Sequence, residues 1–139
     1  MASIINASPS NGIVQTADGS GVLKCQANGV TTNALAWVNF NGTLSSTITP
    51  RANYNISSVT KNGTGDYTLN FTNALTDANY STLASVSWTN TTSRNIVDVQ
   101  SNNSGTVAPT TSTVRLISTN YSTGTAYDPD YVNAAIFGN

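Results

Sequence analysis

The stretch YNISSVTKNGTGDYTLNFTNAL, residues 54 to 75, decides the fold class. In its second half Tyr67, Leu69 and Phe71 fall on one side of an extended chain, and Asp66, Thr68, Asn70 and Thr72 fall on the other, the pattern of a half-buried strand. In its first half Tyr54, Ile56 and Val59 are apolar, but the phase slips between Ile56 and Val59, as a β-bulge requires. Lys61-Asn62-Gly63-Thr64-Gly65 lies between the two runs and supplies residues that tolerate positive φ. The pattern therefore predicts an antiparallel hairpin with a loop of several residues.

The rest of the chain repeats this grammar. Its 139 residues include 19 Asn, 22 Thr and 17 Ser, and contain neither Glu nor His. Thr favours strands, and Asn, Ser and Gly favour turns, whereas helix formers are sparse. Runs of strand length fall at residues 35 to 40, 44 to 49, 54 to 60, 66 to 72, 80 to 88, 95 to 101, 113 to 118 and 131 to 137. The expectation is an all-β chain folded as an antiparallel, jelly-roll-like β-sandwich. In the run Tyr80 to Trp88, the residues Ala84, Val86 and Trp88 form an inward face. Leu35 to Phe40 has large apolar residues on both sides, so that strand is either covered on both faces or lies under a subunit contact.

Residues 1 to 34 differ in having no aromatic side chain. Ile13-Val14, a turn at residues 17 to 21, and Val22-Leu23-Lys24-Cys25 predict a short β-hairpin that needs something to pack on. The expected organisation is thus an N-terminal attachment or oligomerisation segment, residues 1 to 34, followed by a β-sandwich domain, residues 35 to 139. Ile13, Val14, Val22, Leu23, Trp37 and Val38 are its candidate attachment and subunit contacts. The start of the chain has no basic segment followed by an apolar run, so neither a secretory signal nor membrane insertion is expected.

Five cationic and six anionic side chains give a net charge of -1, which offers no electrostatic basis for nucleic-acid binding. A surface rich in amides and hydroxyls suits an extracellular particle or contact with sugars; strand and turn propensity alone would give the same composition. Without His, neither a Ser-His-Asp triad nor the usual zinc sites can be assembled. A glycosidase would need two of Asp18, Asp66, Asp77, Asp98, Asp128 and Asp130. All but Asp98 sit where a turn explains them better. Asp128-Pro129-Asp130 fits a turn set by Pro129, with a shared hard cation as the alternative use. No catalytic residue, metal or cofactor is expected, and the single thiol, Cys25, excludes an intrachain disulfide. Polar connections after residues 88, 101 and 118 are the places for recognition. Trp88, Asn90, Arg94, Asn102, Asn103, Tyr121 and Tyr127 are the candidate contact residues.

The pieces LAWVNFNGT (35 to 43), YNISSVTKNGTGDYTLNFTNALTDANY (54 to 80) and VNAAIFGN (132 to 139) resemble a module found at the C-terminal ends of bacteriophage tail-fibre and related virion proteins. MASIINAS and TADGSGVLKCQANG resemble the leading segment of fibre-type proteins, so that the resemblance spans most of the chain. It implies a non-enzymatic structural virion protein, commonly a homotrimer, bound to other virion proteins through its N-terminus and to a host-surface glycan or protein through its distal loops. Typical members carry a long shaft between leader and terminal domain. Here the two are nearly fused, an arrangement that also serves a short tip or a capsid decoration protein.

Overall fold

The computed structural model describes residues 25–27, 30–87, 95–102 and 104–138. Among these there is no helix. A short antiparallel pair, β1 (Gln26–Ala27) and β2 (Val30–Thr31), stands in a sheet of its own. The hairpin expected around Ile13 to Leu23 lies outside the described residues.

Nine strands build the sandwich: β3 (Ala36–Phe40), β4 (Thr47–Ile48), β5 (Ala52–Tyr54), β6 (Ile56–Gly63), β7 (Asp66–Phe71), β8 (Ser81–Ser87), β9 (Asn95–Val99), β12 (Thr113–Asn120) and β13 (Tyr131–Phe137). Between β9 and β12 a small hairpin, β10 (Ser101–Asn102) with β11 (Gly105–Thr106), occupies part of the connection expected to be irregular. One sheet has the order β4-β6-β7-β12-β9 and the other β5-β3-β13-β8, with every pairing antiparallel. The β6–β7 hairpin stays within one sheet, while the chain changes sheets from β3 to β4, β4 to β5, β5 to β6, β7 to β8, β8 to β9 and β12 to β13.

Period-2 alternation places the core. Val59, Tyr67, Leu69, Phe71, Val114 and Leu116 from the five-stranded sheet meet Ala36, Val38, Phe40, Val132, Ala134 and Ile136 from the four-stranded one in a single cluster. Ala84 and Val86 pack against it, as their alternation predicts. Phe40 and Tyr67 touch edge to face across the sandwich at 5.1 Å between centroids, the geometry favoured by the ring quadrupoles.

The opening stretch folds differently in two respects. Tyr54 and Ile56 belong to opposite sheets, because Asn55 between them takes φ 54° and turns the chain across the sandwich. Asn tolerates this left-handed conformation, and here its buried side chain also bridges three backbone groups. Its Nδ2 donates to the carbonyls of Leu35 and Asn73, and its Oδ1 accepts from the Asn73 amide at 2.8 Å. The bulge does occur, between Ile56 and Ser58. The expected loop of several residues, however, is a tight turn at Thr64-Gly65, because β6 runs on to Gly63 through a second register shift after Lys61. Gly65 has φ 70°, and a Cβ there would lie 2.4 Å from the Ser118 carbonyl oxygen.

Asn55→Ala is expected to lower stability by about 2–4 kcal/mol, from the left-handed backbone and the stranded polar groups together. Asn55→Gly, which keeps the backbone accessible, is expected to cost less. Urea denaturation checks the order; an alanine variant as stable as the glycine variant would contradict a pivot set by φ.

Candidate functional site

Among the described residues, Lys61, Asp66, Arg115 and Asp128 pair with one another in two ion pairs that hold the fold. Asp128 is held on both oxygens: Oδ2 accepts from Lys61 Nζ at 2.7 Å, and Oδ1 accepts from the Gly65 amide at 2.7 Å and from the Tyr67 hydroxyl at 2.9 Å. Lys61 Nζ also donates to the Gly42 carbonyl. A Cβ on Gly42 would sit 2.4 Å from the Tyr67 hydroxyl oxygen, so only glycine lets the ring and the loop meet. Asp128 thus clips the loop of residues 121 to 130 onto the β6–β7 hairpin. No group of three or more ligating side chains occurs among the described residues.

Asp66, expected to be a turn residue, instead starts β7 as a buried carboxylate. It accepts two bonds from Arg115, to Nε at 2.7 Å and Nη2 at 2.8 Å. This hydrogen-bonded pairing raises the Arg115 pKa further. Asp77 does make the expected turn, accepting from the Asn79 amide. Asp98 lies in β9, as expected.

The two outer faces of the sandwich contrast. On the five-stranded sheet, Asn70 Nδ2 donates to Ser58 Oγ and Thr60 Oγ1, Asn62 Nδ2 donates to Thr68 Oγ1, and Arg115 closes on Asp66. Cross-strand polar groups there satisfy one another, and Ile96 and Asp98 of the edge strand β9 are exposed beside them. The four-stranded sheet is built otherwise. Its register sets Tyr54, Trp37, Ala135 and Leu83 side by side across all four strands. Trp37 is 40% and Leu83 59% exposed. Ala135, small and central, leaves a dip between the two larger side chains.

The adjacent row is Ala52, Asn39, Asn133 and Ser85. Asn39 Nδ2 donates to Asn133 Oδ1, and Asn133 Nδ2 donates to Ser85 Oγ, forming a polar ladder beside the apolar row. At one end of the face, Arg51 stacks 4.4 Å from the Tyr131 ring centroid and donates to the carbonyls of Phe40 and Asp130, which holds it against the sheet. Trp37, Ala135 and Leu83 of the first row and Asn39, Asn133 and Ser85 of the second line an open groove of about 510 Å³.

The sequence candidates distribute as follows. Val38 faces the intersheet core and is closed to any partner, while its neighbour Trp37 opens onto the groove. Among the described residues, the strand that carries both is thus covered on one face only. Asn102 sits at the β10–β11 turn, where its Oδ1 accepts from the Ser104 amide. Tyr121 is 69% exposed on the loop that Asp128 clips down. Tyr127, half-buried in the same loop, donates its backbone amide to the Ser118 carbonyl. Burial, and then the nearby Asp130 and Asp128 carboxylates, push the Tyr127 phenol up. Trp88, Asn90, Arg94, Asn103, Ile13, Val14, Val22 and Leu23 lie outside the described residues. Sequence reading missed Leu83, Ala135, Asn39, Asn133 and Ser85 as surface partners of Trp37. The signal was the outward phase of their three strands, but using it needs the strand order.

No protein-family model, curated protein or solved structure matches this chain.

Removing the clip by Asp128→Asn leaves Lys61 without its counter-charge, and a loss of about 1–3 kcal/mol in chemical denaturation is expected. A change below a few tenths would mean that the loop is held without it. Alkaline pH should act through the buried phenols. Burial raises the Tyr80 pKa to about 12, and burial followed by the Asp128 hydrogen bond raises that of Tyr67. Above pH 10 the unfolded chain releases phenolic protons that the folded chain keeps. Stability should therefore fall by up to about 1.4 kcal/mol per pH unit for each group, until the folded state titrates too. Tyr80→Phe is expected to make this decline shallower; a flat profile between pH 10 and 12 would contradict the burial.

Proposed function

We propose that this protein is a bacteriophage virion structural protein, a tail fibre or tail tip, that attaches to the particle through residues 1 to 34 and meets the host cell surface with its β-sandwich. The observation that carries this reading is the contrast between the outer faces. One is a sheet whose Asn, Ser and Thr side chains and Asp66–Arg115 pair bond one another across strands, and the other leaves Trp37 and Leu83 open beside an amide ladder. A rigid scaffold with one open face suits an adhesive module. The resemblance of residues 35 to 80 to phage fibre ends adds the particle, the host contact and a threefold assembly. In this reading the chain performs no catalysis, and the homotrimer is held through the leader.

A gold-tagged antibody against the protein, imaged on intact particles, tests the reading. Label at the tail end is expected. Label spread over the head would replace host contact with capsid decoration, and particles without label would remove the virion role. Native mass spectrometry is expected to show three chains, and a monomer at micromolar concentration would contradict the trimer.

A further inference from the structure

Three properties of the groove on the four-stranded sheet define what fits it. The first is size. Four strands about 4.8 Å apart, each contributing about five residues at about 3.3 Å per residue, outline roughly 250–350 Å². A stable protein partner takes about 800 Å² from each side, so this face alone is too small to hold a second copy. A volume of about 510 Å³ is instead within the range of small-molecule clefts, about 300–1,000 Å³.

The second is charge. The groove's lining carries no Asp, Lys or Arg. Arg51, at the end of the sheet, is engaged by Tyr131 and by two backbone carbonyls. An anionic ligand would lose its hydration here without gaining a cation.

The third is the pairing of an apolar row with hydrogen-bonding capacity left over. The ladder uses one N–H of Asn39, one N–H of Asn133 and the Asn133 oxygen. It leaves Asn39 Oδ1, a second N–H on each amide and the Ser85 O–H for a ligand. Two residues along the same strands, roughly 7 Å away, stand the half-exposed Trp37 and the exposed Leu83. A pyranose ring has the matching anatomy, with axial C–H bonds making an apolar face suited to an indole and equatorial hydroxyls around the rim suited to amides.

The geometry points to this face as a binding site for a neutral saccharide of one to a few rings, with Trp37 as the apolar platform and Asn39, Asn133 and Ser85 as the hydroxyl-reading edge. The inference deepens the host-contact reading and rests on it for its biological setting. It places recognition on the sheet rather than on the loops.

The test uses the full chain, fluorescently labelled, on an array of neutral and anionic oligosaccharides, followed by calorimetric titration with the best neutral binder. Binding confined to neutral glycans is expected, weakened about tenfold or more by Trp37→Ala and in part by Leu83→Ala. Ile96→Ala, on the other sheet's outer face, should leave it unchanged. Thermal melts of each variant separate lost binding from lost folding; should Trp37→Ala unfold, Trp37→Phe and Ser85→Ala carry the test, each with a weaker affinity expected.

The proposal is overturned if no neutral glycan binds at millimolar concentration or if only anionic glycans bind. It is equally overturned if Tyr121→Ala, and not Trp37→Ala, abolishes binding, or if Leu83→Lys converts an oligomer into monomers, since a second copy would then cover the face. Particle labelling fails or succeeds independently of these results. Tail label without glycan binding removes this site alone, and glycan binding without particle label removes the virion reading alone.

Discussion

Tyr67 is the side chain on which the rest of the structure depends. Its ring belongs to the five-stranded sheet, packs against Phe40 of the other sheet, and is fully buried. A buried phenol must find a partner, and the Tyr67 hydroxyl lies 2.9 Å from Asp128 Oδ1 and 3.1 Å from the Gly42 carbonyl oxygen. The same carboxylate takes Lys61 and the Gly65 amide. One residue thereby joins the two sheets, the β6–β7 turn and the long loop before β13. The glycines at 42 and 65 are fixed by this arrangement, because at each a Cβ would collide with a member of the cluster or its support.

The strand after that loop, β13, is the second strand to depend on the clip. It lies between β3 and β8 and sets the register that brings Trp37, Ala135 and Leu83 into line and stacks Asn39, Asn133 and Ser85 beside them. The candidate site is therefore a consequence of packing on the opposite side of the same sheet. Inward residues Val132, Ala134 and Ile136 fix β13 against the core, and pleating then presents Asn133 and Ala135 outward. A change of register by one residue would exchange the two sets and destroy core and groove together.

Much of this was legible in the residues. Alternation in Tyr67, Leu69 and Phe71 gave the strand and its inward face, and the slip after Ile56 gave the bulge. Wherever a strand has one apolar side, period 2 is enough. It failed where both sides are apolar: Val38 and Trp37 look equivalent in sequence, and only the sheet order shows that Val38 is core and Trp37 surface. Asn55 carries no local sign of the sheet change, because its positive φ goes with bonds to Leu35 and Asn73, 20 and 18 residues away. The Asp66–Arg115 pair spans 49 residues and leaves no local trace. The groove lies on three strands whose adjacency follows from changes of sheet, so its members could be named singly as outward residues but not as a set.

The central claim is that the Trp37 face stays open on the assembled particle and closes only on the host surface. Hydroxyl-radical footprinting of intact particles, with and without host cells, reads this from the oxidation of Trp37. The expected result is strong oxidation of Trp37 on free particles and protection after adsorption, with Ile96 unchanged. Protection of Trp37 already on free particles would mean that another virion subunit covers the face, and would contradict the account.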